Sequence, residues 1–91
     1  MENDNNYSDI NKLYKHVEIK LEDIADKLLI SKAHDKDSVL FNIQIIIEKI
    51  FINAAMKRAN NNISKAAQLL GINRNTLSKK LKESKSLNKN F

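Results

Sequence analysis

The sequence predicts an all-α chain of four helices, the last two forming a helix-turn-helix. Three observations predict it. Proline is absent and glycine occurs once in 91 residues, which favours long helices over a turn-rich sheet protein. Apolar residues recur at helical spacing over two stretches, Val17 to Leu29 and Val39 to Met56. The block NISKAAQLLGINRNTLSKKL, Asn62 to Leu81, sets that single glycine between two short helical segments.

The elements follow in order. Met1 to Ser8 has no periodicity, so residues 1–16 read as a flexible N-terminal segment. A first helix is expected from Asp9 or Val17 to Ser31, with Val17, Leu21, Ile24, Leu28 and Leu29 at helical spacing and Glu18, Glu22, Asp23 and Asp26 between them. Lys32 to Asp37 is a polar break in which Asp35 or Asp37 could cap the next helix. That second helix is expected from Ser38 to Ala59. Asn60-Asn61-Asn62 ends it, because Asn favours turns and caps over helix interiors. A third helix should span Ile63 to Leu70, and a fourth Asn73 or Arg74 to about Lys85. Residues 17–59 thus form a helical dimerisation core and residues 60–91 a head with a basic tail.

The second helix also points to a partner. Between Val39 and Met56 only Asn42, Gln44, Glu48, Lys49 and Asn53 are polar. At about 100° per residue, Asn42, Lys49 and Asn53 fall in one stripe and Gln44 and Glu48 in another roughly opposite. One intervening face holds Val39, Leu40, Ile43, Ile46, Ile47, Ile50, Phe51 and Ala54. The other holds Phe41, Ile45, Ile52 and Met56, the expected dimer interface. Packing within one chain can cover one face, but so small a chain leaves the other open, and a second copy covers it most simply. A central helix buried wholly within one chain would need more covering helices than the sequence supplies.

Charge and composition narrow the function. Residues 1–56 carry −3 and residues 57–91 carry +8, which together give the net +5. A basic end of this kind attracts phosphates and steers encounters with nucleic acid, whereas Lys82 to Lys89 alone would read as a solvated tail. There is no cysteine, hence no disulfide framework or thiolate metal site. His16 and His34 are isolated, and no phosphate loop, nucleophile elbow or HExxH motif exists. No enzyme site can be assembled and no cofactor is expected. The start MENDNNYSD is polar and acidic, unlike a secretory signal. Strictly apolar runs such as Val39-Leu40-Phe41 reach three residues, so no membrane span is expected and a soluble, reducing compartment fits best.

Within Asn62 to Leu81, small Ala66 and Ala67 let two helices approach closely. Gly71 sits where the first must end and the backbone needs a left-handed residue. Ile72 and Leu77 supply the apolar contacts that hold the second helix across the first. Such a motif places its second helix in the DNA major groove. Arg74, at that helix's start, can reach guanine O6 and N7 bidentately, while amides and hydroxyls at helix starts, and lysines, bind phosphate.

Asn60 to Leu81 resembles the carboxy-terminal head of the Fis (factor for inversion stimulation) proteins, which also ends NtrC-type activators. GINRNTLSKKL, Gly71 to Leu81, is the most diagnostic block. The resemblance extends weakly upstream to about Val17, and with no ATPase domain in the sequence it favours free-standing Fis over the activators. It implies an intertwined, all-helical homodimer whose recognition helices lie closer than one DNA turn, so that the DNA bends to meet both. Carried over by position, it implies that Asn73, Arg74 and Ser78 meet base edges. Asn62, Ser64, Lys65, Thr76, Lys79, Lys80 and Lys82 then meet phosphates or lie near those that do.

The chain departs from the family at two places. Ser78 stands where such heads often carry a long basic residue, which shifts base reading onto Arg74. The segment before Val17 is short and lacks strand alternation, so the arm by which some Fis proteins touch a DNA invertase is not carried over. Contact with a recombinase or RNA polymerase, target promoters and the sign of regulation are not written in the sequence. The expected function is a sequence-tolerant, DNA-bending, nucleoid-associated transcriptional regulator, acting on double-stranded DNA in the bacterial cytoplasm. The alternative is a helical interaction adaptor with a degenerate DNA-binding head, which would not need the basic face of Asn73 to Lys82.

Overall fold

A computed structural model describes residues 2–31 and 38–87, with side chains for 8–31 and 38–83. Among the described residues the chain is all-α, with four helices: α1 Glu2–Ser31, α2 Val39–Arg58, α3 Ile63–Leu70 and α4 Arg74–Leu87. Two compact units divide near residue 39. Asp35 and Asp37, read as caps for α2, lie outside the described residues.

In the first unit, α1 begins at Glu2, not at Asp9 or Val17, so the segment expected to be flexible is helical over residues 2–16. Its early turns are polar and offer no apolar rhythm, yet no glycine or proline interrupts them, and helix propensity needs no buried face. Ion pairs Lys15–Glu18 at 3.6 Å and Lys27–Asp23 at 3.0 Å add local support along the exposed surface. Ile10, Tyr14, Val17, Leu21, Ile24 and Leu28 alternate at four and three residues, a heptad-like stripe in which only Leu21 is partly covered.

The second unit builds the head. Its core consists of Ile52, Ala55 and Ala59 from α2, Ala66 and Ala67 from α3, and Leu77 from α4. Met56, Ile63, Leu70, Ile72 and Leu81 pack around it. The small alanines let the three helix backbones approach, and Leu77, fully buried, fills the centre. The head therefore begins inside α2 rather than at Asn60.

That packing corrects the expected dimer interface. Ile52 is a core residue of the chain's own head and so is not available to a partner, whereas Met56 packs beside it and is only partly covered. The opposite face is the open one, with Leu40, Ile46, Ile50 and Phe51 exposed and Ile43 and Ile47 partly covered. Of the four residues expected at the interface, Phe41 is exposed and Ile45 partly covered. The wheel gives two apolar faces; the docking of α3 and α4 decides which is packed within the chain.

By length and composition α2 is apolar enough to cross a membrane, which the short strictly apolar runs concealed. Its last turns are nevertheless core of the head, and Glu48 and Lys49 sit in its middle. Lipid insertion would have to strip α3 and α4 from those turns.

Candidate nucleic-acid interface

Two capped turns position the helices of the head. At the end of α2, Asn60 (φ 53°) and Asn61 (φ 65°) are left-handed. The Asn60 N–H donates to the Lys57 carbonyl at 3.2 Å and the Asn61 N–H to that of Met56 at 2.8 Å. This paired pattern satisfies carbonyls that the helix end leaves open, and Asn tolerates the left-handed region better than most residues. Asn62 then caps α3: its backbone is extended and its Oδ1 accepts from the Lys65 N–H at 3.0 Å.

The turn from α3 to α4 repeats the device with glycine. Gly71 (φ 73°, ψ 30°) donates its N–H to the Gln68 carbonyl at 3.2 Å, and the Ile72 N–H donates to that of Ala67 at 3.0 Å. Ile72 folds onto the core beside Ala67, the apolar contact that accompanies this cap. Asn73 starts α4: its carbonyl accepts from the Leu77 N–H at 3.0 Å and its Oδ1 from the Asn75 N–H at 2.7 Å.

The surface that results collects most of the expected site residues at the start of α3 and along α4. Asn62, Ser64 and Lys65 are exposed on the opening turn of α3. Asn73, Arg74, Thr76, Lys79 and Lys82 are exposed on α4, and Ser78 is half-buried. Arg74, at the first position of α4, is exposed and free of the core. The caps engage one lone pair on each of the Oδ1 atoms of Asn62 and Asn73 and leave the amide N–H groups of both side chains outside the caps. An amide N–H is a donor of the kind that phosphate oxygens accept.

Lys80, expected among the phosphate-contacting residues, has a partner within the chain. It is half-buried, and its Nζ donates to both Oε1 and Oε2 of Glu48 on α2, each at 3.1 Å. The family resemblance carries Lys80 over by position together with Lys79 and Lys82, without regard to its neighbours in this chain. The signal that separates them is register: Lys80 lies three residues after buried Leu77 and Glu48 four before buried Ile52, so both flank the core. The same register shows a residue the reading missed. Asn75 is exposed and, at about 100° per residue, falls near Lys79 and Lys82 on the outward side of α4.

Elsewhere, His16 is exposed on α1 and His34 lies outside the described residues. Lys57 and Arg58 close α2 with exposed positive charge beside the Asn60 turn.

No curated protein and no solved structure matches the chain at a significant level. The model of a family described as bacterial regulatory protein, Fis family, matches residues 46–83. That span opens within α2, near the point where the core of the head begins, and closes on α4 just past Leu81. A helix-turn-helix of this family suggests a DNA-binding regulatory function. The tightly capped α3–Gly71–α4 unit, with the end of α2 behind it, is a helix-turn-helix similar over residues 46–83 to that of the Fis family.

Proposed function

We propose that this chain is a sequence-tolerant DNA-binding and DNA-bending regulator that acts on double-stranded DNA as a homodimer. The observation that carries the reading is the helix-turn-helix itself, with Arg74, Asn75, Lys79 and Lys82 exposed on α4 in the +8 end of the chain. A helix with a cationic outward face and an arginine at its tip combines phosphate attraction with a bidentate base reader. The homodimer rests on the open face of α2, where Leu40, Ile46, Ile50 and Phe51 lie exposed along one side. A second copy offers the same face, and a two-fold interface is self-complementary. Bending rests on the family resemblance and on the short reading face. A nucleoid-associated role in the bacterial cytoplasm goes with that reading.

The test is an electrophoretic mobility assay with the full chain on curved and straight duplexes of equal length, repeated over a range of salt concentrations. Tighter binding to the curved duplex, and affinity falling steeply with salt on both, supports the proposal. No binding at low salt would overturn it and leave the interaction-adaptor reading.

A further inference from the structure

The link between Lys80 and Glu48 separates one lysine of the head from its neighbours. Their side chains are 32% and 52% exposed, against 62–75% for the two ion pairs within α1. Those pairs are also local, joining residues three and four apart. The Lys80–Glu48 pair instead joins α4 to α2 across 32 positions of sequence, through two hydrogen bonds to one carboxylate. On α4, Lys79 and Lys82 point away from Leu77, whereas Lys80 lies on the flank that faces α2. One lysine of the row is therefore turned inward and neutralised by the chain itself.

We propose that Lys80 is a positioning residue for the recognition helix, held off the DNA by Glu48, and not a phosphate ligand. The inference rests on the DNA-binding reading of α4. Two consequences follow from the geometry. A double-anchored ammonium at the middle of α4 fixes the rotation of the helix about its axis, and that rotation sets which bases Arg74 can reach. Pairing also removes one positive charge per head from the phosphate-binding set, so the contact with DNA is less salt-dependent than the lysine count implies. Glu48 then favours selective over indiscriminate binding: an unpaired Lys80 would add sequence-blind attraction and loosen the aim of Arg74.

The full chain is titrated onto a preferred duplex and a random duplex, and log affinity is plotted against log salt. The variants are Lys79→Gln, Lys80→Gln, Glu48→Gln and the exchange Glu48→Lys with Lys80→Glu. Lys79→Gln should flatten the slope by about 0.9 per head. Lys80→Gln should leave the slope at the wild-type value and lower the preferred-to-random ratio. Glu48→Gln should steepen the slope by up to about 0.9 per head as Lys80 turns to phosphate, and lower the same ratio. The exchange should restore both slope and ratio, although position 80 now carries a negative charge. Melting curves of each variant show whether the head is folded, and the exchange keeps the test decisive if a single substitution loosens it. Lys80→Gln flattening the slope as much as Lys79→Gln, or an exchange variant that loses affinity for both duplexes, overturns the proposal. Wild-type chain that binds neither duplex instead overturns the DNA-binding reading beneath it.

Discussion

Single residues at the turns carry much of the local specification. Gly71 has φ 73°, and a Cβ built there would meet nothing within 4 Å, so a substitution is limited by backbone conformation alone. Left-handed conformation costs an L-residue roughly 1–2 kcal/mol, offset in part by the entropy that the unfolded chain loses with its glycine. Gly71→Ala should therefore destabilise the head by about 1 kcal/mol and Gly71→Asn by less, since Asn tolerates this region. Chemical denaturation of the three chains checks the order; equal stability of all three would mean that the turn is not held left-handed in solution. Base reading belongs to this scale as well. Arg74→Ala should cost about 1–3 kcal/mol per half-site and blur preference at one base pair, whereas Lys79→Ala should weaken every sequence alike. Affinities over a set of single-base variants separate the two patterns. The caps and Gly71 could be read from the string because their chemistry is local: Asn and Gly act within four residues of themselves. The inward turn of Lys80 could not, because its cause is a glutamate 32 positions away.

At the scale of the element, α3 takes the bounds Ile63–Leu70 that the sequence indicates, since Asn62 and Gly71 fix both ends. The face used by α2 was harder to read. Its two apolar sides look equivalent on a helical wheel, and only Ala55 and Ala59, small and four apart beside Ile52, hint at where other backbones approach. Size, not hydrophobicity, was the discriminating signal. The start of α1 is hard to read for a related reason: residues 2–8 carry no apolar rhythm to mark the helix there. These assignments predict opposite outcomes for neighbouring substitutions. Ile52→Glu places an unpaired charge in the core of the head and should cost 3 kcal/mol or more, roughly the penalty of a broken buried pair. Ile50→Glu, on the exposed side, should leave the head's own packing intact and abolish self-association. Circular dichroism and analytical ultracentrifugation on both variants test this. A folded Ile52→Glu head, or an Ile50→Glu chain that still dimerises, would return the interface to the face first expected from the sequence.

For the whole molecule, the decisive quantities are assembly and the shape of the DNA it meets. A dimer closed through α2 should show a melting temperature that rises with protein concentration, since association stabilises only the folded chain. A well-folded monomer at micromolar concentration, with melting independent of concentration, would remove the dimer from the proposal. If two heads are held by one core, the DNA must fit the spacing of the heads. Direct contact supplies less discrimination here, because Ser78 is short and half-buried. What remains to distinguish sites is the energy of deforming the base pairs between the half-sites, which no side chain need touch. A/T-rich centres narrow the minor groove readily and G·C-rich centres resist it. Binding should therefore favour half-sites that flank an A/T-rich centre, and G·C substitution there should weaken it without altering the dependence on salt. Ser78→Arg would lengthen the reading face, tighten binding at all sites and shrink the penalty of a G·C centre relative to direct contacts. Affinities for a set of duplexes that differ only in their central base pairs, taken with both chains, decide the matter. Equal binding by the wild-type chain across that set would leave shape without a role and place the whole of site selection on Arg74 and its neighbours.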